Sequence, residues 1–252
     1  MSGRVAYYGG IVKDGLVLDL DAGKKDSYDR LPDNVNSQKW RDLSGNGYDG
    51  NLINFSYPSS QTIWNGDNGG YIQFDGTSDY ITLGNISNLG FTGLNFTIEV
   101  WVYVPSTWTA GTQYPNIISK GATSGWDTDG WALWLFRNYP NDKYTWGFGM
   151  RNNGVTVTPS ANYLNTYLDK FTHLMVSVST TYCDFYCNGV FQVRRNHYNP
   201  IMPAPNSTNV MVGGDAAGNR FPGRISIVRL YDRVLSASEV LQNYNATKGR
   251  YI

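Results

Sequence analysis

Glutamate and aspartate side chains are the groups in this chain that could hydrolyse a glycosidic bond. A retaining mechanism needs two carboxyl groups about 5 to 5.5 Å apart across the sugar. Glu99 has no second carboxylate beside it on its predicted strand face, and Glu239 falls in a helix-capping sequence. Asp19 and Asp21 share a strand face, but Asp21 leads directly into a turn. We therefore predict that the chain is not an enzyme.

Histidine and cysteine are too few to build a nucleophilic or zinc site. His173 lies in an apolar strand pattern and His197 in a loop, so neither is placed for general-base catalysis. Cys183 and Cys187 lie four residues apart on one predicted strand, which separates their Cα atoms by about 13 Å. A disulfide needs less than about 7 Å. We predict two buried thiols, as is usual for a protein synthesised in a reducing cytoplasm.

Aspartates in predicted loops are the candidates for a metal site, because Ca²⁺ prefers oxygen ligands. The metal candidates are Asp75, Asp79 and Asp215, the last with Asn219 nearby in sequence. Asp75 and Asp79 have a second interpretation, since aspartate also favours the ends of tight turns. Calcium is therefore a candidate cofactor, and turn formation is the alternative role of this pair.

Aromatic residues in predicted loops are the candidates for contacting a ligand. Sugar rings stack on tryptophan and tyrosine faces while neighbouring polar groups bind the hydroxyls. The candidate contacts with a glycan or a protein are Trp108, Tyr114, Trp126, Asp127, Asp129 and Tyr139. Packing against the fold is the alternative role of each ring, and a solvated loop is the alternative for the two aspartates. Strand parity places Trp131 and Trp134 on opposite faces, so at least one of these two belongs to the core.

The composition excludes several classes of protein. The 20 basic and 20 acidic residues cancel, so no overall field attracts nucleic acid or an anionic membrane. Few Glu, Ala and Leu, with many Gly, Asn, Tyr, Thr and Val, argue against a helical fold. Hydrophobic residues make up 41% of the chain, which is enough for a sizeable core. No sequence run is apolar enough for a membrane span.

Strand patterns recur at short intervals and are bounded by Gly, Asn, Asp and Pro. Residues 71–74 and 80–83 predict a hairpin around the turn at 75–79, and Asn188-Gly189 predicts a second hairpin. Residues 96–104 alternate, with Phe96, Ile98, Val100 and Val102 on one face. Without any βαβ alternation, these elements predict an all-β fold, an antiparallel two-sheet β-sandwich.

One helix is predicted near the end of the chain. The sequence Ser236-Ala237-Ser238-Glu239 is a capping box, with Ser236 as the N-cap. We expect this helix to end near Asn245 and to pack across one end of the sandwich. The predicted organisation is an N-terminal arm over residues 1–13 and a single domain over residues 14–252.

Four groups of segments, in order along the chain, resemble the laminin-G-like jelly roll of the concanavalin A-like lectin/glucanase superfamily. They are GLVLDLDA at 15–22 with WRDLSGNGYDG at 40–50; IQFDGTSDYI at 72–81; FTIEVWV at 96–102 with FTHLMVSV at 171–178 and FYCNG at 185–189; and FPGRISIVRLYDRVLSASEV at 221–240. The resemblance implies a concanavalin A-like jelly roll. It also implies a calcium site in some relatives, and hydrolysis of β-glycosides in those that carry two glutamates and an aspartate alternating on one strand.

A jelly-roll module without a secretory signal or disulfides also resembles the stand-alone virion proteins of tailed phages. We therefore expect a virion surface or structural protein, decorating a capsid or forming part of a tail or fibre, with lectin-like adhesion to carbohydrate. Its expected partners are other virion proteins and cell-surface glycans, and homo-oligomers are a further expectation. It would be made in the cytoplasm and reach the exterior by lysis. The alternatives are an extracellular carbohydrate-binding module of a non-viral source and a glycoside hydrolase of the same superfamily.

Overall fold

Sixteen strands and one α-helix make up the regular structure of the described residues. The computed structural model describes residues 10–28, 38–56, 64–65, 69–84, 95–108, 114–121, 130–138, 143–152, 155–157, 168–196 and 208–251. The strands are β1 (Leu16–Asp21), β2 (Lys39–Trp40), β3 (Gly50–Ile53), β4 (Trp64–Asn65), β5 (Tyr71–Asp75), β6 (Tyr80–Thr82), β7 (Phe96–Tyr103), β8 (Asn116–Lys120), β9 (Gly130–Asn138), β10 (Lys143–Asn152), β11 (Val155–Val157), β12 (Phe171–Val178), β13 (Tyr182–Cys187), β14 (Val190–Asn196), β15 (Val210–Val212) and β16 (Pro222–Tyr231). Helix α1 spans Ala237–Thr247 and is followed by a 3₁₀ turn over Lys248–Arg250.

The strands form two eight-stranded antiparallel sheets. Sheet I has the order β14-β13-β12-β7-β16-β5-β4, and β1 also pairs with β16. Sheet II has the order β11-β10-β9-β8-β15-β6-β3-β2. This arrangement with its C-terminal helix confirms the predicted fold class, an antiparallel β-sandwich of the concanavalin A-like type. No helix in the described part of the chain is long and apolar enough to span a membrane.

The main core lies between the two sheets and follows from alternation along the strands. Phe96, Ile98, Val100 and Val102 all belong to it, as strand parity predicts. The ring of Phe96 meets that of Phe148 from sheet II edge to face, with centroids 5.9 Å apart. Aromatic pairs of this geometry contribute about 0.5–1.5 kcal/mol beyond the area that they bury.

Parity also explains the two tryptophans of β9. Trp131 lies in the main core, whereas Trp134 is on the opposite face of sheet II and remains 8% exposed. A Cβ atom on Gly147 would lie 3.1 Å from the Trp134 indole, so glycine lets the ring approach the neighbouring strand. The prediction that at least one of the two belongs to the core is confirmed.

The two cysteines are free and buried, as predicted. Both belong to the main core with Phe185, which lies between them on β13. Burial raises the pKa of the Cys187 thiol to about 11 and raises that of Cys183 as well, with the negative charge of Asp184 adding to the second shift. Both side chains are therefore protonated, unreactive thiols at neutral pH.

The two predicted hairpins have different outcomes. Asn188 and Gly189 have positive φ angles of 50° and 74° and join the paired strands β13 and β14, so this hairpin is confirmed. The hairpin predicted around Asp75 to Asp79 is wrong, because β5 pairs within sheet I and β6 within sheet II. The turn carries the chain from one sheet to the other. Turn chemistry dictates that the chain reverses, but not which strand becomes its partner.

Helix α1 has the predicted start and a different packing surface. The Ser236 side chain accepts from the Glu239 backbone N–H, and Glu239 accepts in turn from the Ser236 backbone. The helix lies on the outer face of sheet I and not across one end of the sandwich, which corrects the predicted position. There Trp101 Nε1 donates to Thr247 Oγ1 at 3.0 Å, and Tyr244 stacks on the Trp101 ring. Helix α1 buries Trp101 and Glu99 on this face, and its Thr247 and Asn243 side chains supply the hydrogen-bond partners that these buried polar groups need.

Candidate functional site

Glu99, one of the two glutamates, is completely buried beneath helix α1. It accepts from Arg229 Nη1 at 3.0 Å and from Asn243 Nδ2 at 2.7 Å, and it lies 3.2 Å from His173 Nε2. Burial alone would raise the Glu99 pKa, but the Arg229 charge and these hydrogen bonds outweigh it and hold the pKa below its usual value. The fully buried carboxylate cannot touch a substrate in this arrangement.

Asp19 and Asp21 belong to the same buried cluster. Arg229 Nε donates to Asp19 at 2.7 Å, and Arg250 Nη1 donates to Asp21 at 2.6 Å. Neither carboxylate is exposed; Asp19 links β1 to β16, and Asp21 links β1 to Arg250 after helix α1. Glu239 likewise pairs with Arg233 in addition to capping α1. These acidic groups therefore stabilise the fold.

Asp75 organises the turn between the sheets. Its Oδ1 accepts from the backbone N–H groups of Thr77, Ser78 and Asp79 at 2.8 to 3.0 Å, and its Oδ2 accepts from the Ser78 hydroxyl. Asp79 is only 3% exposed and accepts from the Asp75 backbone N–H. Burial, followed by the Asp75 charge, raises the Asp79 pKa to about 6. This is the turn geometry that was the alternative to metal binding.

Asp215 is held by four donors. Its Oδ1 accepts from the backbone N–H groups of Ala217 and Asn219, and its Oδ2 accepts from the side-chain amides of Asn116 and Asn219, all at 2.8 to 3.0 Å. These contacts use both lone pairs of each oxygen. Across the described ranges, no group of three or more His, Cys, Asp and Glu side chains could hold a metal ion. Calcium binding stays a prediction to which this geometry gives no support.

Loops at one end of the sandwich bring several candidate residues together. Asp75 pairs with Pro222, the Asn116 backbone donates to Asn219, and the Asp169 backbone donates to Val104. These contacts join residues 75–79, 114–116 and 213–222 with one another and residues 104–108 with 168–170. The pairing of Tyr103 with Arg224 brings the two groups together, and we call the combined surface the rim.

Two predicted contact residues lie on the rim. Tyr114 is 47% exposed. Trp108 is partly buried and packs against the main core, which was the alternative role of that ring. The other predicted contacts, Trp126, Asp127, Asp129 and Tyr139, lie outside the described residues, as does His197.

A second surface beside the rim was not found from the sequence. Gln73, Arg224, Tyr103 and Phe171 are directly paired across four adjacent strands, β5, β16, β7 and β12. All four side chains are partly exposed on the outer face of sheet I, since their strand neighbours Phe74, Ile225 and Val102 point into the core. We call this row the platform.

Arg224 is the centre of the platform. Its guanidinium carbon lies 4.4 Å from the centroid of the Tyr103 ring and 4.6 Å from that of Tyr71. Its Nε donates to Gln73 Oε1 at 2.9 Å. Gln73 is itself fixed, because its Nε2 donates to the backbone oxygens of Phe74 and Gly223. The guanidinium group is therefore oriented by two rings and one hydrogen bond.

Tyr103 and Phe171 are also held in place. The Tyr103 hydroxyl donates to Asp169 at 3.2 Å, and Asp169 also accepts from the Ser106 backbone. Trp101 lies two residues before Tyr103 on the same face of β7. The Tyr251 ring stacks on the Trp101 ring, with centroids 4.2 Å apart. The Tyr251 ring also contacts the Phe171 ring, with centroids 4.9 Å apart, so Tyr251 packs against that end of the row.

Part of the platform could have been found by parity. The pattern of residues 96–104 already places Tyr103 on the face away from the core. Searching for ligand contacts only in loops overlooks a strand residue of this kind. The alignment of Arg224, Gln73 and Phe171 beside it depends on the register of distant strands, which no local pattern gives.

The two antiparallel sheets and the C-terminal helix define a β-sandwich of the concanavalin A-like type. The chain belongs to the concanavalin A-like lectin/glucanases superfamily, whose laminin G family model matches residues 75–241. This confirms the family to which the sequence segments pointed. A search of curated proteins found no significant match.

Solved structures share the fold at low sequence identity. Domain 4 of the extracellular arabinanase AbnA from Geobacillus stearothermophilus, solved with arabinotriose, has a TM-score of 0.61 and 17% identity, covering 91% of this chain and 98% of that one. The binding domain of botulinum neurotoxin serotype D/C has a TM-score of 0.63 and 12% identity, covering 93% and 53%. Sialidase of Trypanosoma rangeli, solved with sialic acid, has a TM-score of 0.59 and 14% identity, covering 94% and 34%. The chain thus spans about half of the toxin domain and a third of the sialidase.

Proposed function

We propose that this chain is a non-enzymatic carbohydrate-binding module whose contact surface is the platform. The observation that carries the proposal is the row of Gln73, Arg224, Tyr103 and Phe171, which is partly exposed and fixed by its neighbours. Glycans bind where aromatic faces meet a few fixed polar groups. Because the side chains are already oriented, little conformational entropy is lost on binding.

The similarity to known binding domains supports this proposal. The arabinanase domain was solved with arabinotriose, and the neurotoxin fragment is a binding domain. Tyr114 is an additional exposed ring, and it lies on the rim at the end of the sandwich beside the platform. We propose that it extends the contact surface for longer glycans.

The positions of the acidic residues support a non-enzymatic role. Glu99, Asp19 and Asp21 are fully buried and paired with arginine, and Glu239 is engaged with Arg233 and the helix start. A glycoside hydrolase needs two carboxyl groups that reach the scissile bond.

We further propose that the module acts on the surface of a virus particle, as a capsid decoration, tail or fibre component. The buried free thiols of Cys183 and Cys187 suit folding in a reducing cytoplasm. Val190 and Phe191 on β14 are 59% and 49% exposed, and Leu241 on α1 is 43% exposed. The β13–β14 turn touches α1, since a Cβ on Gly189 would lie 2.8 Å from the Tyr244 ring. Exposed apolar side chains on these two contacting elements suit contacts with a neighbouring virion protein or a second copy.

Glycan arrays test the carbohydrate-binding proposal. We expect the wild-type protein to bind a subset of glycans and Tyr103→Ala and Phe171→Ala to lose most of that binding. Phe191→Ala is the matched control, because it removes an exposed ring on a different part of sheet I. Binding to no glycan, with or without calcium, would show that the proposal is wrong.

Mass spectrometry of purified virions tests the second proposal. We expect this chain among the particle proteins, and its absence from them would contradict the virion role. Release of reducing sugar from any β-glucan would contradict the non-enzymatic role.

A further inference from the structure

Arg224 has hydrogen-bonding capacity that the fold does not use. Its Nε is engaged with Gln73, whereas no acceptor in the described part of the chain takes a hydrogen from Nη1 or Nη2. Other arginines differ in this respect: Arg194, Arg229, Arg233 and Arg250 each contact a carboxylate.

Two carboxylates beside the platform, Asp75 and Asp169, accept hydrogen bonds from other donors. Asp75, two residues beyond Gln73, is occupied by the N–H groups of its own turn. Asp169 accepts from Tyr103 and from the Ser106 backbone. Neither forms an ion pair with Arg224, so the positive charge of the platform is not neutralised by a direct partner.

The free edge of the guanidinium has a specific geometry. With Nε taken, the remaining donors are the two terminal nitrogens, which point in parallel from the end of the fork. A planar carboxylate accepts two such parallel bonds, and charge-assisted bonds of this kind are shorter and stronger than neutral ones. The stacked tyrosines hold the fork in one orientation, which reduces the entropy lost when it binds.

We propose that the platform recognises an acidic glycan, binding the carboxylate of a uronic acid residue end-on through Nη1 and Nη2 of Arg224. The inference rests on the proposed carbohydrate-binding function and names its ligand class. The Tyr103 and Phe171 rings, which pair directly across β7 and β12, contact the sugar ring beside the carboxylate. Exposed Lys170, next to Phe171, adds positive charge at the same end of β12.

The test uses matched pairs of oligosaccharides that differ only in charge. Trisaccharides of galacturonate, glucuronate and mannuronate are titrated calorimetrically into the protein, each beside its carboxyl-reduced, neutral counterpart. We expect at least one uronate trisaccharide to bind tenfold or more tightly than its reduced form. A 6-O-sulfated galactose trisaccharide tests sulfate as the other source of negative charge, and we expect it to bind more weakly than the uronate.

Three variants assign the effect to Arg224. Arg224→Gln should weaken uronate binding at least tenfold and leave binding of the reduced sugar within twofold. Arg224→Lys keeps the charge but not the fork, so it should recover only part of the affinity. Arg195→Gln on β14 removes the same charge elsewhere on sheet I and should leave binding unchanged. Equal melting temperatures for wild type and Arg224→Gln show that the folded protein is being compared.

The outcomes separate this inference from the function on which it rests. Binding of neutral glycans that is insensitive to Arg224→Gln would overturn the acidic ligand and leave carbohydrate binding intact. Preference for the sulfated sugar, lost in Arg224→Gln, would overturn the carboxylate assignment. Failure to bind any glycan would overturn both proposals.

Discussion

Nε of Arg229 donates to Oδ1 of Asp19 at 2.7 Å, and both side chains are completely buried. The two residues are direct partners between β16 and β1, although 210 positions separate them in sequence. Arg229 also reaches Glu99 on its other side and Asp21 at 3.5 Å. One arginine thus links the first strand, a central strand and the last strand beneath helix α1.

We expect Arg229→Gln to destabilise the protein by about 3–5 kcal/mol, because it leaves buried carboxylates without their cation. Urea denaturation followed by tryptophan fluorescence measures the change. Arg195→Gln, which removes a charge that is not in this cluster, should change stability by less than about 0.5 kcal/mol. A similarly small effect of Arg229→Gln would contradict the structural role assigned to the cluster.

The same pair shows what the sequence can and cannot predict. Alternation correctly puts Asp19 and Asp21 on one strand face, and it correctly gives a strand around Arg229. That these strands are neighbours depends on long-range pairing, so the arginine that neutralises the aspartates could not be found locally. For the same reason Tyr103 was placed on the outer face while its platform partners were not recognised.

Short sequence patterns correctly predict those features whose contacts lie within a few residues of one another. The capping box at Ser236 and the turn at Asn188-Gly189 each involve contacts within a few residues, and both are confirmed. The turn at Asp75 to Asp79 has equally strong local chemistry, yet its strands separate into different sheets. Burial of the apolar faces of both sheets, and not the turn, decides which sheet each of these two strands joins.

The helix cap gives a pH-dependent contribution to stability. Hydrogen bonds from Arg233, with the Ser236 contacts and the Arg233 charge, outweigh partial burial and lower the Glu239 pKa from 4.5 to about 2. A lowered carboxylate pKa stabilises the folded state above pH 4.5, and this contribution is lost as the pH falls from 4.5 toward 2. We expect Glu239→Gln to lower the melting temperature at pH 6 and to have a smaller effect at pH 2.5.

Ser236→Ala separates the cap from the ion pair. It should cost about 1 kcal/mol of stability at pH 6, as is typical for loss of an N-cap. Thermal unfolding by circular dichroism measures both variants. A Glu239→Gln effect that does not change between pH 6 and pH 2.5 would contradict the ionised cap.

Asp79 should have the opposite pH dependence. Burial and the Asp75 charge raise its pKa from 3.8 to about 6, so the folded state favours its protonated form. That stabilising contribution is complete below pH 3.8 and is lost as the pH rises through 6. Asp79→Asn keeps an oxygen to accept from the Asp75 backbone N–H while removing the charge.

We therefore expect Asp79→Asn to melt about 2 °C or more above wild type at pH 7, and the gain to shrink as the pH falls toward 4. Melting curves at half-unit pH steps measure this difference. Asp75→Asn is the contrasting variant, since its carboxylate accepts four hydrogen bonds and its loss should destabilise the turn. A gain for Asp79→Asn that is independent of pH would contradict a titrating Asp79.

Asp215 distinguishes a structural carboxylate from a metal ligand. All four of its acceptor positions are taken by N–H donors from Asn116, Ala217 and Asn219. Asp215→Asn puts an amide NH₂ where an acceptor is needed, so buried donors on the rim lose their partners. We expect a loss of about 2–4 kcal/mol. Because no ion is required for this effect, the loss should be the same in calcium chloride and in chelator. A wild-type protein that calcium stabilises, with the increment absent from Asp215→Asn, would show instead that this carboxylate binds the metal.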